Sequence, residues 1–185
     1  MKLEKEIINW ALERNIIGPE GKATKLSQFR KTSEEVNELL EAIELDNKEL
    51  AIDAIGDIYV TLALQAQLWD SNMDECVRSA RPDGVKGLRD GVEEYFEAHH
   101  STGLDLMSLT YDEMASLIRN INSVIRNINS DNKLGALRNI GYIYCSLYLQ
   151  AKAWDVDIDD CIEAAWNEIK DRQGKMIDGV FVKDN

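Results

Sequence analysis

The sequence predicts an all-α protein, an antiparallel helical bundle made of two degenerate repeats. Three observations carry that expectation. Apolar residues recur at helical spacing between breaks, as at Val36, Leu39, Leu40 and Ile43, positions i, i+3, i+4 and i+7 of one helix face. The two prolines, Pro19 and Pro82, both sit in glycine-bearing breaks (IIGPEG and RPDGVKG), and no segment sustains a period-two alternation. Residues 56–80 and 141–165 share twelve of 25 identities at a constant offset of 85, with Trp69/Trp154, Asp70/Asp155 and Cys76/Cys161 among them.

The elements follow in order. A helix is expected near 2–14, then a loop near 15–23. A long helix near 24–45 breaks at Leu45-Asp46-Asn47, and a second runs near 48–69 on the stripe Ile55, Ile58, Tyr59, Leu62 and Ala66. A short helix near 72–80 stops at Arg81-Pro82, because proline disfavours helical backbone in the residue before it. Residues 83–107 form a connector with a helix near 86–99. Helices near 109–129, 132–153 and 157–172 complete the second copy, on stripes such as Ile121, Val124, Ile125 and Ile128. The tail GKMIDGVFVKDN is expected to be irregular or briefly extended. The chain thus divides into a first repeat (1–82), the connector (83–107) and a second repeat (108–185), packed as one compact unit. Short loops make neighbouring helices antiparallel. Two such hairpins form a pseudo-symmetric four-helix core, the covalent equivalent of a two-fold dimer.

Composition narrows the function. A net charge of −13 over 185 residues argues against a broad electrostatic footprint for nucleic acid or an anionic membrane. A small phosphorylated ligand needs only a local basic site. The N-terminal MKLEKEIINWALERN has no signal-peptide core, and no uncharged stretch reaches membrane-spanning length, so a cytoplasmic location is expected. Cys76, Cys145 and Cys161 form no CxxC pair and read as small core residues in a reducing compartment.

The repeats differ in their acids. Glu35, Glu38, Asp53 and Asp57 of the first copy become Asn120, Ser123, Arg138 and Tyr142 in the second. Residues three or four apart share a helix face, so Glu35/Glu38 make one pair and Asp53/Asp57 another, with Glu34 beside the first. The turn near Leu45–Lys48 folds the helices together. The pairs lie roughly 8–11 residues before it and 6–10 after it, at similar height for about 1.5 Å of rise per residue. Facing carboxylates suit a hard cation such as Mg²⁺. Zinc would want His or Cys, and the two histidines, His99 and His100, lie in the connector. Where Asp53 and Asp57 would stand, Arg138 and Tyr142 predict that the second copy forms no metal site.

Here the residues carry a resemblance. The strings SEEVNELLEAI and DAIGDIYVTL, the upstream Gln28-Phe29-Arg30-Lys31, and the ending from Trp166 to Lys183 resemble the MazG-type all-α nucleoside triphosphate pyrophosphohydrolases, the last piece in particular their phage-type members. The family pattern is EExxE followed by ExxD on the next helix. The resemblance implies hydrolysis of an NTP or dNTP to the monophosphate and pyrophosphate, with Mg²⁺ (Mn²⁺ as the alternative), and dimers or tetramers; a homodimer is one expectation, and internal duplication standing in for a subunit is the other. It carries the metal ligands to Glu35, Glu38 and Asp57, with Glu34 orienting the attacking water or supporting the ligands from outside. The second-helix Glu of the family is Ala54 here, and Asp53 stands in as its substitute.

A triphosphate also needs cationic donors. Lys31 precedes the acids, while Asn167, Lys170 and Arg172 belong to the second-copy tail, so a composite site with one set per chain is expected. Gln28 joins the substrate contacts by its place in the motif, and Trp10 is expected to close over a base. Trp69 and Trp154 read as packing residues, and the mid-helix Gly56 and Gly141 as points of close helix approach. A catalytically weak nucleotide-binding module and a purely structural helical protein are the alternative readings.

Overall fold

A computed structural model of the protein describes residues 3–80, 106–177 and 179–184. Nearly all of the expected connector, with its helix near 86–99 and its two histidines, lies outside the described residues. Seven helices and one hairpin are described: α1 (Glu4–Glu13), α2 (Lys25–Glu44), α3 (Lys48–Gln67), α4 (Met73–Ala80), α5 (Leu106–Asn129), α6 (Lys133–Ala153), α7 (Ile158–Ile169), β1 (Gly174–Ile177) and β2 (Val180–Lys183). The helical class is as expected, with bounds shifted by a few residues. No described helix is long and apolar enough to cross a membrane.

Local chemistry places the helix ends. Thr24 caps α2 in a reciprocal capping box with Ser27, which satisfies donors that a helix start leaves open. Asn47 accepts from Leu50 N at the start of α3, and Asn132 accepts from Gly135 N at the start of α6. Asp46 (φ 49°) and Asp131 (φ 48°) turn the chain out of α2 and α5, while Asp70 (φ 51°) and Asp155 (φ 53°) end α3 and α6. These left-handed positions disfavour most side chains but tolerate aspartate. The amides that follow each turn bond back into the helix, as in Asn47 N to Ala42 O and Asn132 N to Asn127 O, both 2.9 Å.

The hairpins α2–α3 and α5–α6 pack side by side, and each short helix crosses to the other half: α4 lies on α6, and α7 lies on α3. The crossings sit at the two glycines. A Cβ on Gly56 would overlap Cys161 O and stand 2.8 Å from Ala165 Cβ; one on Gly141 would overlap Cys76 O and stand 2.8 Å from Ala80 Cβ. The same contact thus recurs with the halves exchanged. Lys48 Nζ donates to Asp155 O and Lys133 Nζ to Asp70 O, both at 3.1 Å, repeating the exchange at the turns. Tyr59, Leu62, Ile140, Ile143 and Leu147 fill the core between the hairpins. Trp69 is buried as a packing residue under Lys25, whose Nζ lies 3.4 Å from the ring centroid. Trp154 is half-buried against the core. Cys76 and Cys161 are buried and Cys145 half-buried, all three free. Burial pushes each thiol up to about 12, which suits packing rather than nucleophilic roles.

Alanine normally stabilises a helix over glycine by about 1 kcal/mol. At position 56 the added methyl has no room, so Gly56→Ala is expected to destabilise the protein by about 1–3 kcal/mol through overpacking. Thermal unfolding measures it; an unchanged or raised midpoint would refute the close packing of α3 on α7.

A candidate nucleotide site between the two halves

A cavity of about 370 Å³ opens between the first-half helices and the chain end, within the usual range for small-molecule sites. Four places in the sequence build it. Trp10 comes from α1. Gln28, Lys31 and Glu35 come from α2, at i, i+3 and i+7 of one face. Asp57, Thr61 and Leu64 come from α3, again on one face. Arg172, Met176, Phe181 and Lys183 come from the end of α7 and the hairpin. The tail is briefly extended, one of the two conformations expected of it, and its two extended pieces form a hairpin. It pairs in register from Gly174↔Lys183 to Ile177↔Val180, turns at Gly179 (φ 77°), and packs Phe181 edge-on to Trp10 with ring centroids 5.5 Å apart.

The lining is chemically mixed. Trp10, Phe181, Leu64 and Met176 are among its apolar and aromatic members. The buried Gln28 side chain donates to Thr61 O at 3.3 Å. Lys31, Glu35, Asp57, Arg172 and Lys183 are its charged members. Lys31 Nζ sits 2.8 Å from Glu34 Oε2 and 2.9 Å from Glu35 Oε1. Burial lowers the proton affinity of Lys31, but its bonds to Glu34 and Glu35 outweigh that and raise it overall. Glu35 is only 6 % exposed, so its charge is compensated mainly through Lys31.

Asp57 stands deepest among the other acids. Burial first, then repulsion from Glu35, Asp53 and Glu168, pushes its carboxyl up to about 7 against the partial relief of Arg172. Asp53 is raised by burial and then by Glu168, with which it shares a hydrogen bond. Glu38, exposed on the rim and outside the cavity lining, is raised by burial of its carboxyl and by Glu35. Glu168 also pairs with Arg172 Nη2. The second half thus brings a fifth carboxylate beside the first-half acids, near the face where Ala54 is itself buried in the core.

The sequence-derived residues divide accordingly. Trp10, Gln28, Lys31, Glu35, Asp57 and Arg172 line one cavity. Asp53 and Glu38 flank it, and Glu34 is exposed, pairing with Arg30 and Lys31. Lys170 and Asn167 do not line it: Lys170 Nζ donates to Asn167 Oδ1 at 2.7 Å on the surface. The cause is helical phase. At about 100° per residue, the phase that buries Ile169 carries 167 and 170 away, while Arg172 reaches the cavity from beyond the helix end. Glu168, Lys183 and Phe181 were not singled out from sequence; the i, i+4 spacing of Glu168 and Arg172 beside the apolar stripe of α7 was the available signal.

All-oxygen donors in a field that raises Asp57 fit a hard divalent cation in chemistry and charge. As placed, they form pairs: among the described residues no three Asp, Glu, His or Cys side chains stand close enough to share one ion. In the second half Asn120 stands where Glu35 would, while Asn127 and Asn139 stand where the first half has Ala42 and Ala54, and these three amides bond in a row. Asn139 Nδ2 donates to Asn120 Oδ1, and Asn127 Nδ2 to Asn139 Oδ1, both at 2.9 Å, while Arg138 Nε donates to Ser79 O. Comparison with protein-family models, curated proteins and solved structures found no match to this chain.

The raised Asp57 has a thermodynamic consequence. Its neutral form is favoured by folding, so this contribution to stability is complete below about 3.8, its ordinary value, and is lost as pH rises through about 7. With chelator present, the unfolding midpoint is expected to fall between pH 5 and pH 8 more steeply in the native protein than in Asp57→Asn. Mg²⁺ should raise the midpoint more at pH 8 than at pH 5, since cation and proton compete for the same carboxylates. Melts at both pH values, with and without Mg²⁺, check this; equal slopes in the two proteins would contradict it.

Proposed function

We propose that this protein is a MazG-like pyrophosphohydrolase that cleaves a nucleoside triphosphate, of the dNTP class, to the monophosphate and pyrophosphate with Mg²⁺ or Mn²⁺. One observation carries the reading: a single cavity joins buried carboxylates from one half, cations from the other and an aromatic wall. Lys31, Arg172 and Lys183 offset the phosphate charge. Trp10 and Phe181 pack against the base, and Gln28 contacts its edge. Glu35 and Asp57, with Glu38, Asp53 and Glu168 around them, hold the cation, which when bound neutralises phosphate charge and acidifies water. Glu34 acts from outside by holding Lys31. The two halves are read as degenerate repeats in one compact unit, with one site per chain and the duplication taking the place of a homodimer partner.

The second reading, a nucleotide-binding module with little turnover, draws on Ala54 and on the absence of a three-carboxylate group among the described residues.

Pyrophosphate release from a panel of dNTPs with Mg²⁺ separates the two. Under the first reading, Glu35→Gln and Asp57→Asn lower kcat/KM by about 10²-fold or more, the scale of losing a metal ligand or its charge, and Glu38→Ala costs about tenfold. Calorimetric binding without release supports the second reading. Neither release nor binding would dismiss both.

A further inference from the structure

We infer that Arg14 is a positioning residue that sets the aromatic and cationic walls of the cavity relative to each other. Arg14 does not line the cavity, and its side chain is 13 % exposed. Its guanidinium makes three hydrogen bonds, all to backbone carbonyls: Nε to Arg172 O at 2.8 Å, Nη2 to Lys170 O at 3.3 Å, and Nη1 to Trp10 O at 3.3 Å. The same group lies over the Trp10 ring, 5.2 Å from its centroid.

Two of those carbonyls belong to helix ends: Trp10 O is in the last turn of α1, and Lys170 is the C-cap of α7. Such carbonyls lack intrahelical partners and carry the negative end of the helix dipole, while Arg172 O lies two residues further on, in the lead into β1. One planar cation with five donors in a fixed fork satisfies both ends at once. It joins positions more than 150 residues apart in sequence. Both joined segments feed the cavity: Trp10 supplies the ring on which Phe181 packs, and Arg172 supplies a cation and leads into β1. A lysine would keep the charge but reach one carbonyl at a time.

The kinetic half of this inference rests on the hydrolase reading; the spectroscopic half does not. In the ligand-free full chain, Arg14→Gln is expected to shift the indole N–H resonance of Trp10 and the backbone amides of residues 174–177 and 180–183. Amides of α5 and α6, such as Val124 and Leu147, should stay in place. Arg14→Lys should move the same signals less. For the dNTP that the native protein cleaves best, Arg14→Gln is expected to raise KM about tenfold, with kcat within about threefold and Arg14→Lys between, the scale of a small misplacement of binding groups. In an Arg172→Ala background the KM effect of Arg14→Gln should shrink, as coupled residues do not add. Unmoved indole and hairpin signals would overturn the inference. So would an unchanged KM, strictly additive effects, or loss of dispersion throughout α5 and α6. If the native protein cleaves no dNTP, the hydrolase reading fails by itself and the resonances decide the role of Arg14.

Discussion

The close approach of α7 to α3 governs both the fold and the site. Gly56 has no side chain, so the backbone at Cys161 can lie directly on it. That contact places the end of α7, and with it Glu168 and Arg172, above Asp53 and Asp57. It also aims the chain toward α1, where Arg14 receives the helix end and Phe181 meets Trp10. A bulkier residue at position 56 would push away the helix that supplies cations to the cavity. The same spacing holds α4 on α6 at Gly141, where Arg138 and Tyr142 stand in place of Asp53 and Asp57. The difference lies in which side chains stand around the contact.

The two hairpins carry different side chains at positions 85 residues apart, Glu35, Glu38, Asp53 and Asp57 against Asn120, Ser123, Arg138 and Tyr142. In the second half, Asn120 replaces Glu35 and accepts from Asn139, which accepts from Asn127, and Asn120 and Asn127 also donate to the helix carbonyls of Ser116 and Ser123. In the first half, the carboxylates cannot satisfy one another while ionised. Lys31 relieves Glu35, Arg172 relieves Glu168, and Asp57 is left holding its proton up to neutral pH. Amides that bond to one another and to nearby helix carbonyls are satisfied without any charge. A set of acids that repel one another is a cost to the folded state, and it persists here beside a cavity with an apolar wall.

Much of this was legible in the sequence. Helical periodicity located the helices to within a few residues, since burial on one face must follow the helical repeat whatever the partner. The matched aspartates and glycines announced equivalent turns and crossings. The acids of α2 and α3 could be brought together because a short turn dictates their register. The hairpin was harder: four residues per strand give too little alternation to read, and so short a pair takes its order from Trp10 and the α2 edge. Arg14, Glu168 and Lys183 escaped because their partners come from the far end of the chain, a separation that local pattern does not encode. Lys170 lies outside the cavity and pairs with Asn167. Its charge is conspicuous in sequence, but its phase on α7 turns it outward.

The crossing of the short helices has a topological consequence. Neither hairpin is covered by the helix that follows it in sequence; each is covered by the helix that follows the other. The halves are thus interlocked through their short helices, and a chain cut between Ala80 and Leu106 would remain two mutually dependent pieces. A half released alone would expose the groove around its glycine while carrying a helix shaped for that groove in a neighbour. Two copies of one half could therefore rebuild the arrangement by exchanging segments. The single chain keeps that exchange within itself, and so allows one half to hold four acids where the other holds Asn120, Ser123, Arg138 and Tyr142.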